Sequence, residues 1–372
     1  MAQLIYANTK QADLFYLVKG QIPDAFFYLK TANKEYIFLD HREINVFKEH
    51  NHSNIEAVLL NPLMEKAQKM KDDVSLNYKL AYYLLDKYNL LNEEIEVPDY
   101  FPLGMADFLR LKSVKLTVKN PLLPQRQFKA SKEAEKIKDS LKKVYPAYQY
   151  LEEVLKSSFI KGDQIIYKDQ VLTSEFLKLE IEKILLQNGM YNSEGIIVAS
   201  GSQTAIPHHM GSGPIKANSP LICDIFPQSK ETGYFADITR TYVKGRPSGE
   251  FIKMYQAVKK AQQAAIDFIK PGVIGKEVND LVKEIFVNEG YDVDGDQGFI
   301  HGTGHGLGLE VHEGPYLNDY YDKPLAVCNV VTVEPGLYYQ AQGGVRIEDV
   351  VIITETGCQN LTNYPKEFIE IR

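Results

Sequence analysis

Four acidic residues stand inside, or at the end of, runs of residues that favour buried β-strands. Asp224 ends the apolar run Leu-Ile-Cys, and Glu334 follows Val330–Val333. Asp237 and Glu348 each lie within a strand-like run of their own. Burying a carboxylate is costly unless it pairs with a cation or binds a metal ion. One such residue is usually a solvated strand position, but four of them in two hairpin-like pairs predict a functional site.

Three histidines, His301, His305 and His312, fall within twelve residues between the two acidic pairs. Two glycines separate His301 from His305, which disfavours the helix of a His-x-x-x-His zinc site and favours an irregular backbone. No Gly-Lys-Ser/Thr follows, so the segment is not a phosphate-binding loop. A lone histidine is more often structural, but three beside strand carboxylates indicate function.

One imidazole and four carboxylates form a hard, oxygen-rich ligand set that suits Mn, Co, Fe or Zn. Four carboxylates carry more negative charge than one divalent ion neutralises, so the sequence predicts two ions. Two ions about 3.5–4 Å apart can share a water and lower its pKa from about 15.7 towards 7. That water is the nucleophile that amide hydrolysis requires.

The length of 372 residues predicts two domains. Residues 1–124 interleave strand-like and helix-like runs, which indicates an α/β domain. A stretch with two prolines, 120–129, marks the boundary, and Ser131 is expected to cap a long charged helix that opens a second domain, 131–372. The predicted elements of the first domain are strands at Phe26–Leu29, Tyr36–Leu39, Ile55–Leu60 and Val114–Val118, and helices near Leu63–Met70 and Asn77–Leu90.

The second domain is predicted to mix helices with largely antiparallel strands. Ser248–Ile269 and Gly275–Glu289 carry apolar residues at the spacing of one helical face, and they stop at Pro271-Gly272 and Gly290. The predicted strands are Gly195–Ala199, Leu221–Phe226, Phe235–Val243, Val330–Val333 and Val345–Thr354.

Four segments of the second domain together resemble the pita-bread metallopeptidases, a group that includes methionine aminopeptidase, aminopeptidase P and prolidase. They are residues 224–241, 301–313, 331–339 and 344–354. The resemblance covers essentially the whole second domain and implies an α+β pita-bread catalytic domain with an antiparallel sheet. The first domain is similar, at the level of pattern, to the creatinase-type amino-terminal domain of aminopeptidase P and prolidase.

The resemblance implies that five residues bind the metal ions. Asp224 would bind one ion only, and Asp237 and Glu348 would bridge both. His305 and Glu334 would complete the second ion. Glu334 would also act as general base, a role worth about 10²–10⁴ in rate.

The resemblance assigns the remaining site residues to the substrate and to the support of the ligands. His312 would hold the scissile carbonyl oxygen as negative charge develops on it. His208 and His301 would line the substrate pocket. Arg346 would hold the carboxylates in position, and Tyr338 follows Glu334 at the spacing seen in the family.

Three features favour the proline-selective branch over methionine aminopeptidase. They are His301 four residues before the ligand, the Arg-x-Glu-Asp arrangement that begins at Arg346, and the long first domain. Creatinase has this fold without the metal ligands, and all five are present here, which argues against a creatinase reaction.

The chain departs from the family pattern at three places. Asp224 and Asp237 are 13 residues apart (237 − 224), two more than is usual, through the insertion Pro-Gln-Ser-Lys-Glu-Thr. Two added residues can preserve the face of each side chain, so both ligands are kept. Cys328-Asn329 replaces a Gly-hydrophobe pair, and His208 fits the family histidine better than the adjacent His209.

Charge and composition bear on partners and location. The net charge of −7 argues against non-specific binding of nucleic acid. The absence of an eighteen-residue apolar run predicts no membrane span. A start without a basic leader predicts a cytoplasmic protein, and three cysteines without a Cys-x-x-Cys pair suit a reducing compartment. The family resemblance implies a homodimer.

Together these features predict hydrolysis of the Xaa-Pro bond at the amino terminus of peptides or dipeptides by two divalent ions, with Mn the first expectation. The substrate would be a peptide with proline at its second position. A metallo-aminopeptidase without proline preference, and a non-catalytic peptide-binding or protein-binding relative, are the alternatives. No motif separates a dipeptidase from an aminopeptidase for longer peptides.

Overall fold

Residues 1–50, 54–367 and 369–371 are described by a computed structural model of the chain. Two compact units divide the chain at residues 126 and 127. A short 3-10 helix, Pro124–Gln127, lies at this division. Within the described residues, no helix combines the length and the apolar character that crossing a bilayer requires.

The first unit is built on one mixed six-stranded sheet with the order β4-β3-β2-β1-β5-β6. The strands β1–β2 and β2–β3 pair antiparallel, and the other neighbours pair parallel. The elements are β1 Ala2–Ala7, α1 Ala12–Val18, β2 Phe26–Lys30, β3 Glu35–Leu39, α2 Ile44–His50, β4 Glu56–Leu59, α3 Asn61–Gln68, α4 Leu76–Lys87, β5 Glu94–Val97, α5 Leu103–Leu111 and β6 Lys115–Val118.

Both faces of this sheet are buried. Side chains alternate between the two faces along each strand, so neighbouring residues enter different core clusters. Leu4 of β1 belongs to a core cluster that contains residues of α3, α4 and α5. Its neighbour Ile5 belongs to a second cluster with residues of α1 and α2. The predicted strands and helices of this unit are confirmed, whereas the strands β1 and β5 and the helices α1, α2 and α5 were not predicted.

The second unit contains four long helices and many short strands. The helices are α6 Ser131–Ser157, α7 Ser174–Gln187, α8 Gly249–Phe268 and α9 Gly275–Asn288, with a 3-10 helix at Gly201–Ala205. The strands are β7 Phe159–Lys161, β8 Gln164–Tyr167, β9 Gln170–Val171, β10 Met190–Tyr191, β11 Ile196–Ser200, β12 Pro220–Ile225, β13 Gln228–Ser229, β14 Ile238–Lys244, β15 Gly304–Gly306, β16 Glu313–Leu317, β17 Val330–Val333, β18 Gly336–Tyr339, β19 Gly343–Arg346, β20 Asp349–Ile353, β21 Cys358–Asn360 and β22 Ile369–Ile371.

Two sheets carry the site, with strand orders β11-β12-β14-β22 and β16-β15-β17-β20-β21. Their pairings are antiparallel except for the parallel pair β14–β22. Helices α8 and α9 pack over a buried cluster that includes Val331 and Val333 of β17 and Val351 of β20. The predicted antiparallel α+β class is confirmed.

Three local predictions need correction. The run Val345–Thr354 forms two strands, and Glu348 lies in the break between them, where its N–H donates to the oxygen of Thr239 at 3.1 Å. Asp237 directly precedes β14 and is not inside it. Ser131 is the first residue of α6 and not its cap, because the Glu133 carboxylate accepts the Ala130 N–H at 2.9 Å.

Candidate metal centre

The first two predicted ligands lie on one face of the β12–β14 hairpin. Asp224 stands opposite Thr239 in the antiparallel register. Side chains alternate along a strand, and Asp237, two residues before Thr239 and directly before β14, lines the same cavity as Asp224. Part of the insertion forms β13, which pairs with β10 (Met190–Tyr191). The two added residues therefore leave both carboxylates on one face.

The other sheet supplies His305 and Glu334. The N–H of His305, in β15, donates to Thr332 Oγ1 at 3.0 Å. The N–H of Glu334, at the end of β17, donates to the oxygen of Thr303 at 2.8 Å. These bonds fix the two backbones side by side, and the His305 Nε2 atom lies 3.1 Å from Glu334 Oε1.

The ligand atoms converge on a small volume. One ligand atom from each of Asp237, His305 and Glu348 lies within 4.8 Å of the others. His305 Nδ1 lies 3.1 Å from the carbonyl oxygen of Gly306, so it carries the proton and donates there. Nε2 faces the carboxylates and would be the atom that binds a metal ion once its proton is released.

The electrostatics of this cluster call for a cation. Burial, and then the neighbouring carboxylates, hold the pKa values of Asp237 and Glu348 well above their usual range. Burial also raises the pKa of Asp224, although Arg346 opposes the rise. Burial would raise the pKa of Glu334 too, but the hydrogen bond with His305 lowers it to about 2.

Two buried carboxylate oxygens show whether the residues present suit a metal ion. Asp224 Oδ1 and Glu348 Oε1 are buried and have no hydrogen-bond partner among the residues that the structure describes. A buried acceptor without a partner costs about 1–3 kcal/mol. Divalent ions would satisfy both atoms, so the residues fit a metal centre.

A hydrogen-bonded chain leads from Asp224 into the cavity. Arg346 Nη2 donates to Asp224 Oδ2 at 2.7 Å, and Arg346 Nη1 donates to the Tyr338 hydroxyl at 2.8 Å. That hydroxyl lies 2.9 Å from His301 Nε2. His301 Nδ1 lies 2.7 Å from the oxygen of Gly302. A neutral imidazole has one proton, so Nδ1 donates to Gly302 and Nε2 accepts from Tyr338.

All nine predicted site residues line one cavity of about 460 Å³. They are His208, Asp224, Asp237, His301, His305, His312, Glu334, Arg346 and Glu348. The ring of His312 packs edge-on to that of His305, with centroids 4.2 Å apart. His209 instead accepts the Gly211 N–H through Nδ1 at 2.9 Å. The structure brings the predicted residues together, and their individual roles stay predictions.

Two residues that hold Glu348 were not predicted from the sequence. Thr239 Oγ1 donates to Glu348 Oε2 at 2.8 Å and accepts from Arg346 Nε at 3.2 Å. Arg240 is buried, donates to the backbone oxygen of Glu348 at 2.5 Å, and pairs with Asp349 at 2.8 Å. A polar Thr-Arg-Thr run inside an apolar strand was the sequence feature that could have identified them.

The family follows from a comparison with known proteins. The model of metallopeptidase family M24 matches residues 135–355, well over half of the chain. This chain belongs to metallopeptidase family M24. The assignment confirms the predicted family resemblance, and the family is one of metallopeptidases.

Individual relatives resemble the chain over about half of its length. An uncharacterized peptidase of Bacillus subtilis is 42% identical over 191 residues, 51% of this chain and 53% of the relative. The Xaa-Pro dipeptidase of Pyrococcus furiosus is 38% identical over 192 residues, with the same coverage of 51% and 53%. The chain thus spans about half the length of these curated relatives.

Solved structures of other proteins match almost the whole chain. The Xaa-Pro dipeptidase from Bacillus anthracis has a TM-score of 0.81 at 25% identity, covering 99% of this chain and 94% of that one. The prolidase from Pyrococcus horikoshii has a TM-score of 0.78 at 25% identity, covering 99% and 95%. The two-domain fold class, with a carboxy-terminal pita-bread domain, is confirmed.

Proposed function

We propose that this M24 chain is a dinuclear metallopeptidase that hydrolyses the Xaa-Pro bond at the amino terminus of peptides or dipeptides. The observation that carries the proposal is the convergence of four carboxylates and one imidazole in a single cavity. The names of relatives, an Xaa-Pro dipeptidase and a prolidase, support the substrate class.

Five residues would hold the ions, in the order Asp224, Asp237, His305, Glu334 and Glu348. Two divalent ions, Mn first, would supply Lewis acidity and an activated water. Arg346 keeps Asp224 in place through its 2.7 Å ion pair. Thr239 and Arg240 fix Glu348 through its carboxylate and its backbone.

Proton transfer and carbonyl stabilisation fall to two side chains of the cavity. Glu334 would accept the proton of the attacking water. His312, edge-on to His305 at the cavity wall, would donate a ring N–H to the scissile carbonyl oxygen as charge develops there. Both residues follow the roles that the family resemblance implies.

Selection of proline must rest on the shape of the pocket, because the nitrogen of an Xaa-Pro bond carries no hydrogen. The ring also fixes the φ angle of the proline near −65°. The hydrogen bonds of His301 with Tyr338 and Gly302 fix the orientation of its ring. With His208 and Phe226 also in the lining, the ring of His301 would bound a slot for the pyrrolidine. Shape alone typically discriminates by about 10–200-fold.

The decisive experiment compares kcat/KM for the dipeptide Ala-Pro and for the tetrapeptides Ala-Pro-Ala-Ala, Ala-Ala-Ala-Ala and Met-Ala-Ala-Ala in the presence of Mn, Co or Zn. We expect faster cleavage of the proline peptide, within the range that pocket shape permits. Equal rates would leave a metallo-aminopeptidase without proline preference. No cleavage of any peptide would favour a non-catalytic peptide-binding or protein-binding protein.

Three further properties belong to the same proposal. The first unit would be a creatinase-type domain and the second the catalytic domain. The active protein would be a cytoplasmic homodimer that acts on peptides and not on nucleic acid or membranes. Light scattering on the purified chain tests the homodimer, since a monomeric mass with full activity would contradict it.

A further inference from the structure

A short glycine-rich segment, residues 302–304, separates His301 from the proposed ligand His305. Both of its glycines line the cavity, and a side chain at Gly304 would collide with the backbone of β17. Glycine loses more conformational freedom on folding than any other residue, so such a segment needs an anchor. Its one residue with a side chain is Thr303, and the contacts of Thr303 therefore decide where the segment lies.

Thr303 joins the segment to Glu334 on one side and to helix α9 on the other. Its backbone oxygen accepts the Glu334 N–H at 2.8 Å. Its hydroxyl donates to Asn279 Oδ1 at 2.8 Å, and its N–H is shared between Asn279 Oδ1 at 2.9 Å and the oxygen of Leu317 at 2.7 Å. Thr303 and Asn279 are 0% and 1% exposed, so water does not compete for these bonds. Asn279 thus holds the residue that lies between His305 and Glu334.

The partners of Asn279 fix the orientation of its amide. The backbone N–H of Thr303 can only donate, so Oδ1 faces Thr303. Nδ2 donates to Asp319 Oδ1 at 2.8 Å, and a carboxylate can only accept. Lys283, one turn further along α9, holds that carboxylate through bonds of 2.8 and 2.7 Å. Position 279 therefore needs one acceptor and one donor on the same side chain, whereas aspartate offers no donor and leucine offers neither group.

We propose that Asn279, which lies behind the cavity lining, is a positioning residue for the ion that His305 and Glu334 would bind. This inference rests on the proposed function, because it concerns the same metal centre. Loss of a hydrogen-bond partner behind metal ligands typically lowers metal affinity by about 10–100-fold. Asp224 lies in the other sheet, so the ion bound there should keep its affinity when Asn279 is changed.

The test measures Mn dissociation constants by calorimetry on the full chain after treatment with a chelator. We expect Asn279→Ala to weaken one of the two ions about tenfold or more and to leave the other unchanged. Thr303→Val, which removes only the hydroxyl, should weaken the same ion. Thr303→Ser keeps the hydroxyl donor, so it should bind both ions as the wild type does.

The matched control is Thr9→Val in the first unit. Thr9 is also buried, and its hydroxyl bonds the backbone of Ile22 as donor at 3.0 Å and as acceptor at 2.7 Å. Thr9→Val should therefore lower the free energy of unfolding, measured by urea denaturation of the metal-free protein, without changing either Mn dissociation constant. A change in Mn affinity in this control would overturn the claim that the effect of Thr303→Val is specific.

An exchange of side chains separates lost hydrogen bonds from lost packing. Asn279→Asp alone removes the donor and places a carboxylate against Asp319, so it should weaken the ion. The double variant Asn279→Asp/Asp319→Asn again has an acceptor facing Thr303 and a donor between positions 279 and 319, with the same net charge as the wild type. It should recover most of the lost Mn affinity. A double variant as weak as Asn279→Asp would overturn the inference.

The inference also fails if Asn279→Ala binds both ions as the wild type does. Equal weakening of both ions would contradict it as well, since a general loss of structure acts on the whole centre. A wild-type protein that binds two Mn ions but cleaves neither Ala-Pro nor Ala-Pro-Ala-Ala would overturn the proposed function. The dissociation constants of the variants would still decide the role of Asn279.

Discussion

At the scale of single residues, the two neighbouring histidines of the cavity should behave differently. His305→Ala should lose metal and activity together, because His305 Nε2 faces Glu334 and Asp237 at 3.1 and 3.7 Å. His312→Ala should keep its metal and lose about 2.7–4 kcal/mol of transition-state stabilisation, the scale for one oxyanion donor. Metal content by elemental analysis, measured beside kcat, separates the two. Release of metal by the His312 variant would contradict the assignment.

A second residue-scale prediction concerns Cys328, which replaces a family glycine and has φ of 71°. A left-handed backbone costs a non-glycine residue about 1–2 kcal/mol, and the added freedom of glycine in the unfolded chain offsets part of the gain. We expect Cys328→Gly to raise the free energy of unfolding by about 0.5–1 kcal/mol, measured by urea denaturation. Cys358→Gly, at the first residue of strand β21, should instead destabilise the protein. The same sign for both variants would contradict the argument.

At the scale of elements, a buried ion pair secures the segment that presents His312. Lys129 Nζ lies 2.5 Å from Glu313 Oε1, and the two side chains are 2% and 8% exposed. Lys129→Met leaves the Glu313 charge buried without this cation, which should cost about 3–5 kcal/mol of stability. Glu313 also begins β16, directly after His312. Activity should therefore fall as well.

The double variant Lys129→Met/Glu313→Leu distinguishes charge burial from lost packing. Removing both charges should recover most of the stability lost in Lys129→Met, because an apolar pair of similar volume often replaces a buried ion pair at little cost. Chemical denaturation of the full chain measures both variants. A double variant as unstable as the single one would show that packing around Lys129, and not its charge, holds the segment.

At the scale of the whole molecule, metal binding should stabilise the catalytic unit. Asp224 lies in one sheet, and Asp237 directly precedes a strand of that sheet. His305 lies in the other sheet, and Glu334 directly follows one of its strands. Ions held by both sheets favour the folded state by about 2.7 kcal/mol at a free ion concentration of 100 times Kd. We expect Mn to raise Tm, a chelator to lower it and abolish activity, and elemental analysis to give two ions per chain.

Asp237→Ala is the control for this linkage, since it removes a proposed bridging ligand and should remove most of the Mn-dependent rise in Tm. The same variant also relieves repulsion among buried carboxylates. Its metal-free form should therefore be no less stable than the metal-free wild type. Full activity with a single bound ion in the wild type would overturn the dinuclear proposal.

The sequence by itself indicated a functional site, because carboxylates in apolar strand runs beside a glycine-spaced histidine motif are local patterns that are costly to bury without a shared ligand. The family resemblance of the same segments implied the order of the proposed ligands and the fold class, and the fold class is confirmed. The sequence also determined that the two-residue insertion keeps Asp224 and Asp237 on one face, since the strand period is two.

Only the tertiary structure decided what holds these residues. The chain from Asp224 through Arg346 and Tyr338 to His301 joins residues up to 122 positions apart. The break between β19 and β20 at Glu348, and the support of Glu348 by Arg240, likewise depend on long-range contacts. Local propensity carries no information about such pairings, because their free energy arises only when distant segments pack together.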